Sequence, residues 1–238
     1  MKASFATAIL LIAVSTSGQQ LPSREVQDYS LEAPTFLEAL LKASADFQFP
    51  LGVEWVKSAD TLKPVQLSRS SVTAEEVIQA VVSMHAGYEW RLEDGVVHVF
   101  NTALMGAARN PLNAKLQFFG FTDCNPMIAR MAEVYLEYNV RAVVAPKIGG
   151  GFGFSIGSGL GEPKIQFRCT DLSARYVLNK IVALSIQHVW IATFPAKTVL
   201  TPTGFLEEVP ILGANWDRDE PFWVLRRWGD PPPEKLVR

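Results

Sequence analysis

The sequence predicts an α+β fold: tandem strand-helix-strand units, with helices packed against small sheets. Three observations carry this. Apolar residues switch from a two-residue period to a three-to-four-residue period and back. Two alternating runs meet at Asp94-Gly95, the dipeptide most favoured in a two-residue hairpin turn. The same switch then recurs 100 residues further along. A chain of 238 residues that is 48% apolar and 19% charged has the composition of a folded protein with a buried core.

In the first unit, Tyr29 and Leu31 alternate as in a strand. Pro34 and Thr35 open a helical stripe through Phe36, Ala39, Leu40 and Ala43, and Val53 and Trp55 alternate again. The second unit repeats this order. Val65 and Leu67 alternate, and Thr73 with Glu76 forms a capping box. Val77, Ile78, Val81 and Val82 form the buried stripe, and Gly87 is expected to stop the helix. Residues 88–92 and 96–100 are the hairpin strands. Residues 102–113, with Arg109-Asn110-Pro111 at their end, are expected to be a linker.

Residues 115–145 and 163–194 each read strand, helix, strand. Shifting residues 64–90 by 100 aligns them without a gap to 164–190. The shift gives five identities: Gln66/Gln166, Ala74/Ala174, Val77/Val177, Val82/Val182 and Trp90/Trp190. Conservative pairs such as Val72/Leu172, Ile78/Leu178 and Met84/Leu184 keep the apolar period in step. An internal duplication accounts for this; convergence on a common α/β pattern is the alternative.

Residues 28–101 resemble the short N-terminal domain shared by secretins and TonB-dependent transducers. The resemblance rests on TFLEALLKAS, GVEWV, VTAEEVIQAVVSMHAGYEW and the closing pair RLEDGVVHVF. It implies two strand-helix-strand units with helices between small sheets, and a periplasmic protein-interaction role rather than an enzymatic one. A degenerate second copy is expected over 114–194, with a glycine-rich insertion at 149–161, followed by a proline-rich aromatic tail over 195–238. Members of that family usually continue into a barrel or channel, and the sequence to Arg238 contains neither. Only the fold and a generic docking role to cell-envelope proteins are therefore carried over.

Export is read from residues 1–18. Lys2 precedes a compact apolar run over residues 5–14, and Ser15, Thr16, Ser17 and Gly18 are the small residues a signal peptidase cuts near. The competing reading, a membrane anchor, requires a longer run to cross about 30 Å of hydrocarbon. The expected location is periplasmic or secreted, with no membrane span after cleavage. A net charge of −2 gives no basis for binding nucleic acid or an anionic surface.

No motif selects a catalytic centre or a cofactor. The run GGGFGFSIGSGLG lacks the Gly-Lys-Ser/Thr ending of a phosphate loop. It reads either as a hairpin excursion or as a pliable partner contact through Phe152, Phe154 and Ile156. His85, His98 and His188 lack metal-pair spacing and read as ordinary, partly exposed histidines. Glu75 and Glu76 suit a helix N-terminus. Asp217, Asp219 and Glu220 lack the order of a calcium loop, and no Gly-x-Ser-x-Gly turn occurs. Cys124 and Cys169, the only cysteines, are a candidate disulfide in an exported chain. Trp216, Trp223 and Trp228 lie near Arg218, Arg226 and Arg227. They read as partner anchors, as a surface for cell-wall sugars, or as a segment folded back over a sheet edge.

Overall fold

The computed structural model describes residues 21–108, 110–124, 136, 139–140, 165–184, 188–202, 206–210, 223–228 and 230. It has the expected α+β class. The first unit is β1 (Val26–Ala33), α1 (Phe36–Phe47) and β2 (Leu51–Lys57). Thr35 caps α1, its hydroxyl accepting from the Glu38 amide at 3.2 Å. The second is β3 (Val65–Val72), α2 (Ala74–Ser83), β4 (Tyr88–Glu93) and β5 (Val96–Asn101). Its capping box is complete: the Glu76 amide donates to Thr73 Oγ1 at 3.3 Å, and the Thr73 amide to Glu76 Oε2 at 2.8 Å. Asp94 and Gly95 both have positive φ, 52° and 82°, the geometry of a type I′ turn.

β1 and β3 form an antiparallel ribbon from Val26↔Val72 to Ala33↔Val65. α1 touches both β1 and β2, α2 touches both β3 and β4, and the two helices touch each other. The pair therefore lies between this ribbon and the main sheet. Alternation along β1 turns Tyr29, Leu31 and Ala33 inward, against a helix stripe that includes Phe36, Leu37, Leu40 and Phe47.

The main sheet has the order β11-β10-β2-β5-β4, where β10 is Val189–Leu200 and β11 is Leu206–Pro210; β12 (Trp223–Arg226) also pairs with β10. β10, β2 and β5 are mutually parallel, and the flanking strands run antiparallel to them. Smaller ladders join β6 (Lys115–Leu116) to β9 (Leu172–Ser173) and β7 (Phe119–Cys124) to β8 (Ile165–Cys169). The helix of the second copy, α4 (Ala174–Leu184), contacts β10, β2 and β5. It lies on the face opposite α1: residues of β5 alternate sides, and His98 points toward α4 while Tyr88, across from Asn101, meets Phe36 of α1 at 4.7 Å. β2 is covered on both faces, so its first six residues are all buried.

Several expectations need correction. Whether the two copies share one core was open from the sequence, and they do. β10 runs beside β2 from Val189↔Leu51 to Pro195↔Lys57, and one continuous core joins the halves. The expected boundary at residue 194 falls inside β10, and the tail supplies β11 and β12 to the sheet. Residues 102–108 and 110–113 are structured rather than a linker. They hold a short helix α3 (Thr102–Met105) and a 3₁₀ turn (Pro111–Asn113), with Asn110 and Leu112 buried. α2 ends at Ser83, and Gly87, at φ +79°, serves the turn into β4 instead of capping the helix. The 100-residue shift holds where it matters: α2 begins at Ala74 and α4 at Ala174, and Val77/Val177, Ile78/Leu178, Val81/Ile181 and Val82/Val182 are all buried.

The cysteine pairing is also corrected: Cys169 is a free thiol. In the β7–β8 ladder Cys169 stands opposite Phe119, whereas Cys124 stands opposite Ile165 at the other end. At about 3.4 Å per residue the two Cα atoms lie far beyond the roughly 7 Å a disulfide tolerates.

Candidate functional site

Three features are candidates for function: a buried ionic cluster under α4, an arm that projects from the sheet, and the strand β12 with the tryptophan that follows it.

The cluster begins with Glu54, fully buried in the middle of β2. Parallel pairing of β2 with β5 sets Gly52 beside His98, and alternation puts Glu54 on the same face. His98 Nε2 lies 3.0 Å from Glu54 Oε1, and Arg175 of α4 donates to the same oxygen from Nε at 2.5 Å. Asn110 donates to Oε2 at 3.2 Å and to the Leu104 carbonyl at 3.0 Å. Arg175 Nη1 reaches Asn113 Oδ1 at 2.6 Å. On the far side of the imidazole, Nδ1 is 3.3 Å from Glu93 Oε2, without hydrogen-bond alignment. Glu93 also takes Arg91 Nε at 2.6 Å and Asn179 Nδ2 at 3.1 Å, and Asn179 Oδ1 accepts Trp190 Nε1 at 2.8 Å.

Burial alone raises the Glu54 carboxyl, but hydrogen bonds from His98 and Arg175 and their charges outweigh it and hold the group below its ordinary value. Glu93 behaves the same way: burial raises it, and the close approach of the His98 imidazole with the charges of Arg91 and Arg175 lowers it further than burial lifts it. Chemically, this is a carboxylate whose two oxygens are already occupied by three donors. Glu54 and His98 are fully enclosed, so a substrate reaches them only if α4 moves away. The cluster therefore fastens the second copy to the first. His98, expected to be an ordinary partly exposed histidine, is one of its central members. His85 is likewise buried, against Phe36, with Nδ1 3.1 Å from Asp60 Oδ2. Among the described residues, no group of three His, Cys, Asp or Glu side chains is placed to hold a metal ion.

Gly52 is part of the same construction. The Trp190 indole lies over it so closely that a Cβ would come within 2.4 Å of Trp190 Cε2. Only glycine admits this ring, which carries the second copy's strand into the sheet.

The arm is the far half of β10. Pairing with β2 stops at Pro195↔Lys57, and among the described residues β10 continues with β11, from Ala196↔Pro210 to Leu200↔Leu206. The last pair is apolar and open to solvent: Leu200 is 70% and Leu206 75% exposed. At the arm's base Glu208 Oε2 accepts the Ala59 amide at 2.7 Å, which fixes the ribbon to the turn after β2.

No protein-family model, curated protein or solved structure matches the chain. The site is therefore read from its own chemistry.

Of the residues singled out from sequence, Phe152, Phe154, Ile156 and Trp216 lie outside the described residues. Trp223 is placed in β12 opposite Ala192. Trp228 was read as a partner anchor, as part of a sugar surface or as part of a segment folded back over a sheet edge, and its indole contacts its own chain. Nε1 donates to Ser44 Oγ at 3.0 Å and to the Phe49 carbonyl at 3.3 Å, and the ring stacks on His188 at 3.9 Å and 21°. An aromatic platform for sugars needs an open ring face, and this contact takes one. β12 follows the fold-back alternative: it covers the edge of β10. Sequence reasoning missed the ionic cluster and the arm. A signal for the cluster was present in Glu54, the single charge inside the apolar run LGVEWV.

Proposed function

We propose that this chain is an exported, non-catalytic docking protein of the cell envelope. On this reading it binds partner proteins by edge-strand contact, as its resemblance to the periplasmic domain of secretins and TonB-dependent transducers implies. The observation that carries the reading is the β10–β11 arm. It extends past the end of β2, and its Leu200–Leu206 pair is open to a second chain. Strand addition supplies affinity through main-chain bonds, and side chains at alternate positions supply selectivity. The enclosure of Glu54 and His98, with both Glu54 oxygens occupied by donors, supports a structural role for the one dense ionisable cluster described.

The test is capture from envelope extract with the wild-type chain and with a Leu200→Asp/Leu206→Asp variant. The expected result is a reproducible partner with wild type that is lost with the variant. No reproducible partner, or equal capture by both, contradicts the reading.

A further inference from the structure

We propose that Asp94-Gly95 is a modification site, a place of spontaneous isoaspartate formation that the fold suppresses, with Lys180 of α4 as the guard. The proposal goes beyond the docking reading and does not depend on it.

The chemistry is intrinsic to the dipeptide. The Gly95 nitrogen attacks the side-chain carboxyl carbon of Asp94. An N–Cγ bond forms, a C–O bond breaks, and the amide proton leaves with the carboxyl's hydroxyl group as water. The product is a five-membered succinimide, which water then opens at either carbonyl. Attack at Cγ restores aspartate. Attack at the main-chain carbonyl leaves isoaspartate, whose backbone runs through Cβ. No oxidant or reductant takes part. Glycine obstructs the closure least, because it carries no Cβ. The Asp94 side chain is also open to water, at 34% exposure.

The fold opposes the first step in two ways. Closure requires the Asp94 carboxyl and the Asp94–Gly95 peptide to rotate toward each other. The peptide is fixed by the two-residue turn: Asp94 and Gly95 hold φ of 52° and 82°, and Glu93 pairs with Val96 directly below. The carboxyl is fixed by α4. Lys180 Nζ lies 3.0 Å from Asp94 Oδ1, and the ammonium is itself placed over the Tyr176 ring, 5.2 Å from its centroid and one helical turn back. The neighbouring residue acts alike, Asn179 Nδ2 donating to Glu93 Oε2 at 3.1 Å. Successive residues of α4 thus grip successive residues at the hairpin end, and the guard comes from the other half of the chain. Where Lys180 lets go, the carboxyl is free to swing onto Gly95. An extra backbone carbon there breaks the two-residue turn that sets the β4–β5 register, and with it the pairing that brings Glu93 to His98.

The test ages the full chain in neutral buffer at body temperature. Isoaspartate is counted with an isoaspartyl methyltransferase and located by electron-transfer fragmentation. Wild type is expected to form it at residue 94 at least about tenfold more slowly than the free peptide RLEDGVVHV, copied from residues 91–99. Lys180→Met is expected to raise the wild-type rate at least about twofold, the modest effect of a part-exposed ion pair. Lys180→Arg, which keeps the charge, is expected to stay at the wild-type rate. Thr73→Ala weakens the α2 cap without touching the turn, so its rate is expected to match wild type, which separates loss of the guard from loss of stability. A wild-type rate equal to the peptide's overturns the proposal. So does an unchanged rate in Lys180→Met, or an equal acceleration in Thr73→Ala.

Discussion

Replacing Arg175 by Met takes one donor and one positive charge from a carboxylate that cannot reach water. Removing one partner of a buried pair costs about 3–5 kcal/mol, and a loss of that order in denaturant-induced unfolding is expected for Arg175→Met. Acid tests the same contact from the other partner. Glu54 and Glu93 titrate lower when folded than the ordinary glutamate value of 4.5. Their contribution is therefore fully present above about pH 4.5 and is lost as pH falls through the depressed folded value. Thermal melts from pH 7 down to pH 3 should show a steep decline that is shallower in Glu54→Gln. Parallel declines would mean that other carboxylates dominate acid unfolding.

Elements make their own demands. Gly52→Ala drives a methyl into the Trp190 ring and should destabilise by about 1–3 kcal/mol or more. Trp190→Leu in the same chain, by vacating that space, should reduce the penalty that the alanine adds, which a double-mutant cycle measures. Thr73→Ala breaks the capping box of α2 and should cost about 1 kcal/mol in equilibrium unfolding. The elements that the sequence made legible are those whose causes are local: the stripes of α1 and α2, the capping box, and the Asp94-Gly95 turn. What it left hidden is pairing between distant residues. Alternation marks residues 189–194 as a strand, but nothing in it chooses β2 as the neighbour, because Val189 and Leu51 meet only in the folded chain. Two clues pointed there: the near-continuous apolar run of β2, which suits a strand covered on both faces, and the size match between Gly52 and Trp190. Glu54 was equally hidden, since its partners come from β5, the segment after α3, and α4, which are adjacent only once that pairing exists.

For the whole molecule, the recurrence of a strand-helix-strand pattern did not produce two independent bodies. Trp90 ends up half-buried on the edge strand β4, while the corresponding Trp190 is fully buried in the middle of the sheet. The same local grammar thus serves two tertiary positions, and the parallel β10–β2 contact, fastened by Glu54 and Arg175, sets which is which. That insertion leaves β10 long enough to project the arm and to expose, on its other edge, the place that β12 occupies. Site-resolved hydrogen exchange under increasing denaturant tests this most directly. The account predicts that the amides of residues 189–194 and Leu51–Lys57 lose protection together, at one common denaturant dependence, because they belong to one sheet. Separate unfolding of residues 165–200 while the first half stays protected would contradict it.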